Sequence, residues 1–435
     1  MINLIEKRFG YEYGYLLLAI VFAIFSPLLL MLLSIISLVL VGFSDFKGKR
    51  AQTIFYLSGI MGIFAISLSA ASQPVFLFTE QDFTTYYNNY LDFYNYGFST
   101  DFFMFGAGYE IGVPLLNNIL ALVINGPYPN FYKFFQAFIQ CSLVFYLVTQ
   151  VKKTNNLSYR EACLLLGLIF LFFKYPSTLN HLRQGYSSIF ILIAVFSTSR
   201  FKIVFFVFLA SIFHSSALVL YFLVRFLLTC RDTVKIRSVC VFLILFSVFL
   251  FLALKPLTNF VINSDILVLG KLVWGLEKAR STENIIDNLK FVFAYSMYVF
   301  PLIGLILVRK LSGQEPYHFT GNLIMIIICI VAYFYIPAIP VRALSSIYLI
   351  FVGYMYFEIL KSGFLKEQLF SMILLIVIFF FVRWATSPLL YYNFPFADVM
   401  PINYGATFFV ESNYVDRHSL PSQNDMVVSN PNGVF

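Results

Sequence analysis

The chain has 435 residues, of which 60% are hydrophobic and 11% are Asp, Glu, Lys or Arg, with a formal net charge of +8. Soluble domains carry about 25% charged residues, so no soluble fold of ordinary shape covers this much apolar surface. Five cysteines, odd in number and set mostly in apolar runs, exclude a secreted disulfide scaffold, and 54 Phe with 29 Tyr exclude disorder. What remains is an all-α polytopic integral membrane protein.

A helical crossing takes about 20 apolar residues. The stretches that meet or approach this are 15–42, 54–72, 131–150, 161–173, 187–199, 238–254, 291–308, 320–336, 343–360 and 369–386, which predicts about 10 crossings. The first contains Pro27, is too long for a signal-peptide core and lacks a small-residue cleavage site, so it reads as a retained anchor. Lys47, Lys49 and Arg50 follow it, and Lys152, Lys153 and Arg160 follow the third span. Arg200 with Lys202, Arg231 with Lys235 and Arg237, Arg309 with Lys310, and Lys361 with Lys366 mark later loops of the same kind. Segment 73–130 has no Lys or Arg but carries Glu80, Asp82, Asp92, Asp101 and Glu110. The positive-inside rule therefore puts 73–130 outside, together with both termini. The organisation is a single transmembrane domain over 1–386, with outer loops 73–130 and 255–290 and a polar outer tail, 387–435.

Two segments are too short to cross. In FGAGYEIGVPLLNNILALVI, glycines and Pro114 frame Glu110 ahead of an apolar run that ends at NGPYP, as in a re-entrant or surface helix. Residues 203–228 lie between two basic loops that both belong inside, and His214-Ser215-Ser216 interrupts them midway. Two helices of about 12 residues rise about 18 Å each, so a hairpin with His214 near its tip satisfies both charge and length. Broken backbone of this kind is tolerated where it is buried in protein or lines a wet cavity.

The outer face nevertheless carries cations: Lys174 and Arg183 with His181, then Lys255, Lys271, Lys278, Arg280 and Lys290, then Arg342 and Arg383. Singly, each reads as a side chain snorkelling to lipid headgroups. As a set they read as groups facing a functional cavity. Arg183 and Arg342 stand at the outer starts of spans, and a planar guanidinium grips phosphate in bidentate fashion where an ammonium does not. Two or three converging arginines suit a pyrophosphate.

In TEQDFTTYYNNYLDFYNYG, Asp82, Tyr86, Tyr90 and Tyr94 recur every fourth residue and share one helix face. Such a face suits a polyhydroxylated ligand, or else an amphipathic helix resting at the interface. Glu110 either caps local backbone or serves a hydroxyl. His214 is either a satisfied core histidine or a functional one. The sequence has no glycine-rich phosphate loop, no His-Glu-x-x-His zinc motif and no Cys/His cluster at metal spacing. No cytoplasmic stretch is long enough for a nucleotide-binding domain. No metal and no cofactor is expected.

The pairing of NHLRQGYSSIFILIAVFS (180–197) with KIVFFVFLASIFHSSALVL (202–220) resembles the EpsG/Wzy-type oligosaccharide repeat-unit polymerases. An upstream Asp82, Tyr86, Tyr109, Glu110 element and a downstream Pro340-x-Arg342 also look like that family, and the likeness covers about 75–350. Gly185 departs from the pattern, where a bulky residue is expected. The resemblance implies an integral glycosyltransferase of GT-C-like architecture in the bacterial inner (cytoplasmic) membrane. It would join O-antigen or exopolysaccharide repeat units carried on undecaprenyl diphosphate, on the outer face, without nucleotide or metal. The implied catalytic set is Arg183, Glu110 and His214, with either Glu110 or His214 serving the acceptor hydroxyl. Arg342 and Arg280 would join Arg183 at the diphosphate, and Asp82, Tyr86, Tyr109 and Gln184 would bind substrate. Its partners would be the lipid-linked donor and acceptor, membrane lipids and a chain-length regulator protein, with no nucleic acid. A lipid-linked oligosaccharide flippase and a non-catalytic assembly partner are the alternatives, although the related halves and paired broken helices of many transporters are not found here.

Overall fold

The computed structural model describes residues 14, 17–21, 27–44, 46, 48–71, 82–103, 110–173, 182–230, 232, 234–236, 238, 239, 241, 242, 245, 249, 350–358, 360, 361 and 409–415. Among the described residues all regular structure is helical. The chain forms two compact units, Met1–Leu218 with Leu365–Phe435, and Val219–Phe364.

In the first unit the helices run α1 (Pro27–Phe43), α2 (Lys49–Ala71), α3 (Asp82–Tyr96), a 3-10 turn (Thr100–Phe103), α4 (Gly112–Ile124), α5 (Pro129–Thr154), α6 (Tyr159–Phe172), α7 (Leu182–Val195) and α8 (Arg200–Phe213). Their ends follow from local chemistry. Pro129 opens α5, where a missing N–H costs nothing. Ser158 and Glu161 close a reciprocal capping box on α6. Lys152 and Lys153 sit in the last turn of α5 against the negative end of its dipole. Asn125 ends α4 in the left-handed conformation, with φ +50°.

Two of these helices, α2 and α5, are long and apolar enough to cross a membrane. They have 23 and 26 residues and rise about 35 and 39 Å, against a hydrocarbon core of about 30 Å. Both coincide with expected spans. The expected spans 161–173 and 187–199 appear as α6 and α7, of 14 residues each, or about 21 Å. Helix α7 starts five residues before its expected span, which puts Arg183 and Gln184 in its first turn. The loop 255–290, the spans 291–308, 320–336 and 369–386, most of 238–254 and the first part of 343–360 lie outside the described residues.

Helices α1, α2, α5 and α6 pack into a bundle. Gly62 of α2 allows the close approach: a Cβ there would stand 2.7 Å from both the Phe170 ring of α6 and the Ser34 hydroxyl of α1.

The segment from α3 to α4 is built differently. Phe83, Tyr87, Tyr90, Leu91 and Phe93 of α3 form a buried aromatic core with Leu120, Ala121 and Ile124 of α4 and Tyr132 of α5. Tyr86 and Tyr90, expected to share a face, do so, but the face is turned inward and their rings are closed to solvent. Tyr90 packs its ring on Tyr132 of α5, while Tyr86 turns its hydroxyl to Arg183.

Residues 409–415 run along α3. The Tyr87 hydroxyl donates to the Ser412 carbonyl at 2.7 Å, and Asn88 exchanges two hydrogen bonds with the backbone of Val415 at 3.0 and 3.2 Å. Tyr414 donates to Asp92 at 2.8 Å, and Phe409 sets its ring edge-on to Tyr128. Burial raises the Asp92 carboxyl, and the Tyr414 hydrogen bond partly offsets it.

Helix α8 stops at Phe213 and α9 (Ala217–Thr229) begins after a break of three residues, so the interruption at His214 is present. His214 itself is extended, at φ −152° and ψ 127°. Helix α9 continues into the second unit, where Arg225 donates to the Tyr221 hydroxyl and residues 350–358 form a further helical stretch.

Candidate functional site

Four stretches of the first unit deliver polar side chains to one place: the middle of α3, the turn before α4, the first turn of α7, and the break after α8. Leu182 is fully buried and anchors the start of α7. Arg183 follows it and forms an ion pair with Glu110 through Nη1 and Oε2. Its Nε also donates to the Tyr86 hydroxyl at 3.4 Å. Glu110 is 5% exposed. Its second oxygen, Oε1, accepts from both the backbone N–H and the hydroxyl of Ser215, each at 3.4 Å.

Beside this pair lies a second one. The Nε2 of His214 is 3.2 Å from the carboxamide of Gln184. The His214 Nδ1 accepts the Ser216 N–H at 3.2 Å and lies 2.8 Å from the Ser216 hydroxyl. A neutral imidazole that accepts at Nδ1 carries its proton on Nε2. That proton calls for the carbonyl oxygen of Gln184, an atom otherwise left without a partner. Turning the carboxamide end for end satisfies both groups.

The phenol of Tyr86 is pushed up to about 12 by burial, against the pull of Arg183 and with smaller raising effects from the Asp82 and Glu110 carboxylates. It stays protonated near neutrality and holds Arg183 as a neutral acceptor. Asp82 sits one helical turn away, within electrostatic reach of that phenol.

The site rests on buried amides that the sequence reading did not single out. The Asn117 side chain donates to the Tyr86 carbonyl at 3.1 Å and to Asn89 Oδ1 at 2.9 Å. It accepts from the Tyr132 hydroxyl at 2.7 Å and from Gln136 at 3.5 Å. Tyr186 of α7 donates to Gln136 at 2.7 Å. One carboxamide with all its capacity used thus ties α3 to α4 and α5, and Gln136 extends the tie to α7. Gly112, two residues after Glu110, lets α4 approach α8: a Cβ there would stand 2.6 Å from the Phe213 ring. The missed residues did leave a signal, since Asn117 and Gln136 are polar groups inside apolar runs.

Of the expected site residues, Arg183, Glu110, Gln184, His214 and Tyr86 come together, with Asp82 at the edge. Tyr109, Arg280 and Arg342 lie outside the described residues. Among the described residues no group of three or more His, Cys, Asp or Glu could hold a metal ion. The assembled set offers a partly exposed guanidinium, a closed-in carboxylate and an imidazole.

The model of the EpsG family matches residues 59–397, a stretch that contains every member of this cluster. The chain belongs to the EpsG family. EpsG membership ties it to polysaccharide biosynthesis and to membranes. No curated protein and no solved structure matches the chain. The EpsG match takes in all of α3 to α8, so the aromatic core and the buried amides fall within it as well.

Proposed function

We propose that the protein is a glycosyltransferase that polymerises O-antigen or exopolysaccharide repeat units carried on undecaprenyl diphosphate, at the outer face of the bacterial cytoplasmic membrane. The observation that carries this reading is the Arg183 and Glu110 pair at a helix start, backed by Tyr86 and Ser215. Membership of the EpsG family supports it.

Transfer to a sugar hydroxyl asks for two things: stabilisation of the departing diphosphate, and a group that takes the hydroxyl proton. Arg183 supplies the first, and Arg342 and Arg280 are assigned to the same diphosphate. Glu110 supplies the second. His214 and Gln184 are assigned to the neighbouring sugar, while Tyr86 and Asp82 position Arg183. Tyr109, next to Glu110 in the chain, is assigned to the sugar. Both termini lie outside in this reading, which agrees with residues 409–415 docking on the cation-free segment that contains α3. A chain-length regulator is the expected protein partner.

The test is reconstitution. Purified protein in lipid nanodiscs, given an undecaprenyl-diphosphate-linked repeat unit and a chelator but no nucleotide, should yield a ladder of longer glycans. A single unextended band from protein that binds the substrate would refute the assignment.

A further inference from the structure

The Arg183 guanidinium and the Glu110 carboxylate are unequally exposed: 28% of the arginine side chain is open and 6% of the glutamate side chain. An arriving anion therefore meets the cation first, with the carboxylate already seated behind it. The other holds on both groups are slack. Ser215 reaches Oε1 at 3.4 Å by N–H and by hydroxyl, and Tyr86 reaches Arg183 Nε at 3.4 Å, all near the outer limit of a hydrogen bond.

We propose that Glu110 is an internal stand-in for the donor's diphosphate, and that exchange of one anion for the other on Arg183 releases Glu110 to act as base. This rests on the polymerase reading above. A diphosphate brings more oxygens to the guanidinium fork than a carboxylate does and is the stronger partner. Once displaced, Glu110 keeps, among the described residues, the two contacts from Ser215. A carboxylate closed off from water and stripped of its cation gains most by taking up a proton. The acceptor sugar provides one. Its hydroxyl oxygen bonds to the anomeric carbon of the donor glycan, and the bond from that carbon to the phosphate oxygen breaks. The electron pair leaves with undecaprenyl diphosphate, and the hydroxyl proton passes to Glu110. The base is thus unmasked only when a donor is in place, so an acceptor that arrives before the donor meets a masked carboxylate.

Binding of undecaprenyl diphosphate to nanodisc-embedded protein tests this, with thermal unfolding as a check on fold. Glu110→Gln should bind the lipid on the order of tenfold tighter than wild type, because one charge-assisted contact no longer has to be broken. The same variant should lose the glycan ladder. Ser215→Ala, which loosens Glu110 without removing it, should leave lipid affinity within about threefold of wild type and slow the ladder. Unchanged or weaker binding by Glu110→Gln, beside a wild type that binds and polymerises, overturns the exchange and leaves the polymerase intact. A wild type that neither binds the lipid nor makes a ladder overturns both.

Discussion

Arg183 and Glu110, 73 residues apart in the chain, meet as an ion pair whose positive member is open and whose negative member is closed in. Removing the open member leaves an uncompensated charge behind. Arg183→Ala should abolish the glycan ladder and lower stability by about 3 kcal/mol. Arg183→Lys should keep most of the stability, since the charge remains, yet still lose the ladder, since an ammonium offers no planar fork and no Nε donor for Tyr86. Thermal unfolding and ladder assays on the two variants separate these effects. A lysine variant with wild-type activity would mean that charge alone suffices.

Asn117 uses its whole carboxamide inside the core. Asn117→Ala takes the donor from Asn89 Oδ1 and leaves the Tyr132 hydroxyl with its long 3.5 Å contact to the Tyr86 carbonyl, and should cost about 2–3 kcal/mol. Asn117→Asp keeps the acceptor for Tyr132 but deletes both donors, and should be at least as damaging because it also buries a charge. Chemical unfolding in detergent reads the difference. A loss below about 0.5 kcal/mol in both would show that the network is not cooperative.

Gly112 faces the Phe213 ring with no room for a methyl group. Gly112→Ala should destabilise by about 1–3 kcal/mol through overpacking. Because Phe213 directly precedes His214, it should also reduce activity. Phe213→Leu in the same chain removes the ring and should restore part of both. Absence of any rescue would place the defect in the backbone of α4.

Tyr86 keeps its proton up to about 12, with burial as the main cause, and Tyr87 and Tyr90 are raised for the same first reason. In the unfolded chain these phenols titrate near 10. Between 10 and 12 the folded state holds more protons than the unfolded one, so stability is level below pH 10 and falls as pH rises above it. Each such phenol adds about 1.4 kcal/mol per pH unit to that slope. Tyr86→Phe should make the slope shallower by one proton, as measured by unfolding midpoints from pH 9 to 11.5. An unchanged slope would mean that the Tyr86 phenol is open to water.

The cluster was legible in outline because ionisable residues at membrane depth stand out against apolar surroundings. Arg183, Glu110 and His214 each interrupt a run that is otherwise free of charge. The lengths of α2 and α5 were legible for a similar reason. The direction in which Tyr86 and Tyr90 point was not. Periodicity shows that two residues share a face, and tyrosine is as content inside as at an interface, so the packing of Tyr90 on Tyr132 and of Tyr86 beside Arg183 decides it. Asn117 and Gln136 were passed over because averaging hydropathy along an apolar run hides a single amide. Yet a lone amide in such a run must find partners, and those partners hold the site together.

The contacts of Tyr87 and Asn88 with residues 412 and 415 join positions 325 and 327 apart in the chain. At synthesis rates of about 5–20 residues per second, α3 waits roughly 15–65 s for that clasp after it leaves the ribosome. During that wait Asn88 and Asp92 lack the partners that residues 414 and 415 bring. A chain interrupted before residue 414 still packs the aromatic core of α3 on α4 and α5, but leaves the polar edge of the helix unsealed. The last part of the chain to be made is thus the part that finishes a helix made near its beginning.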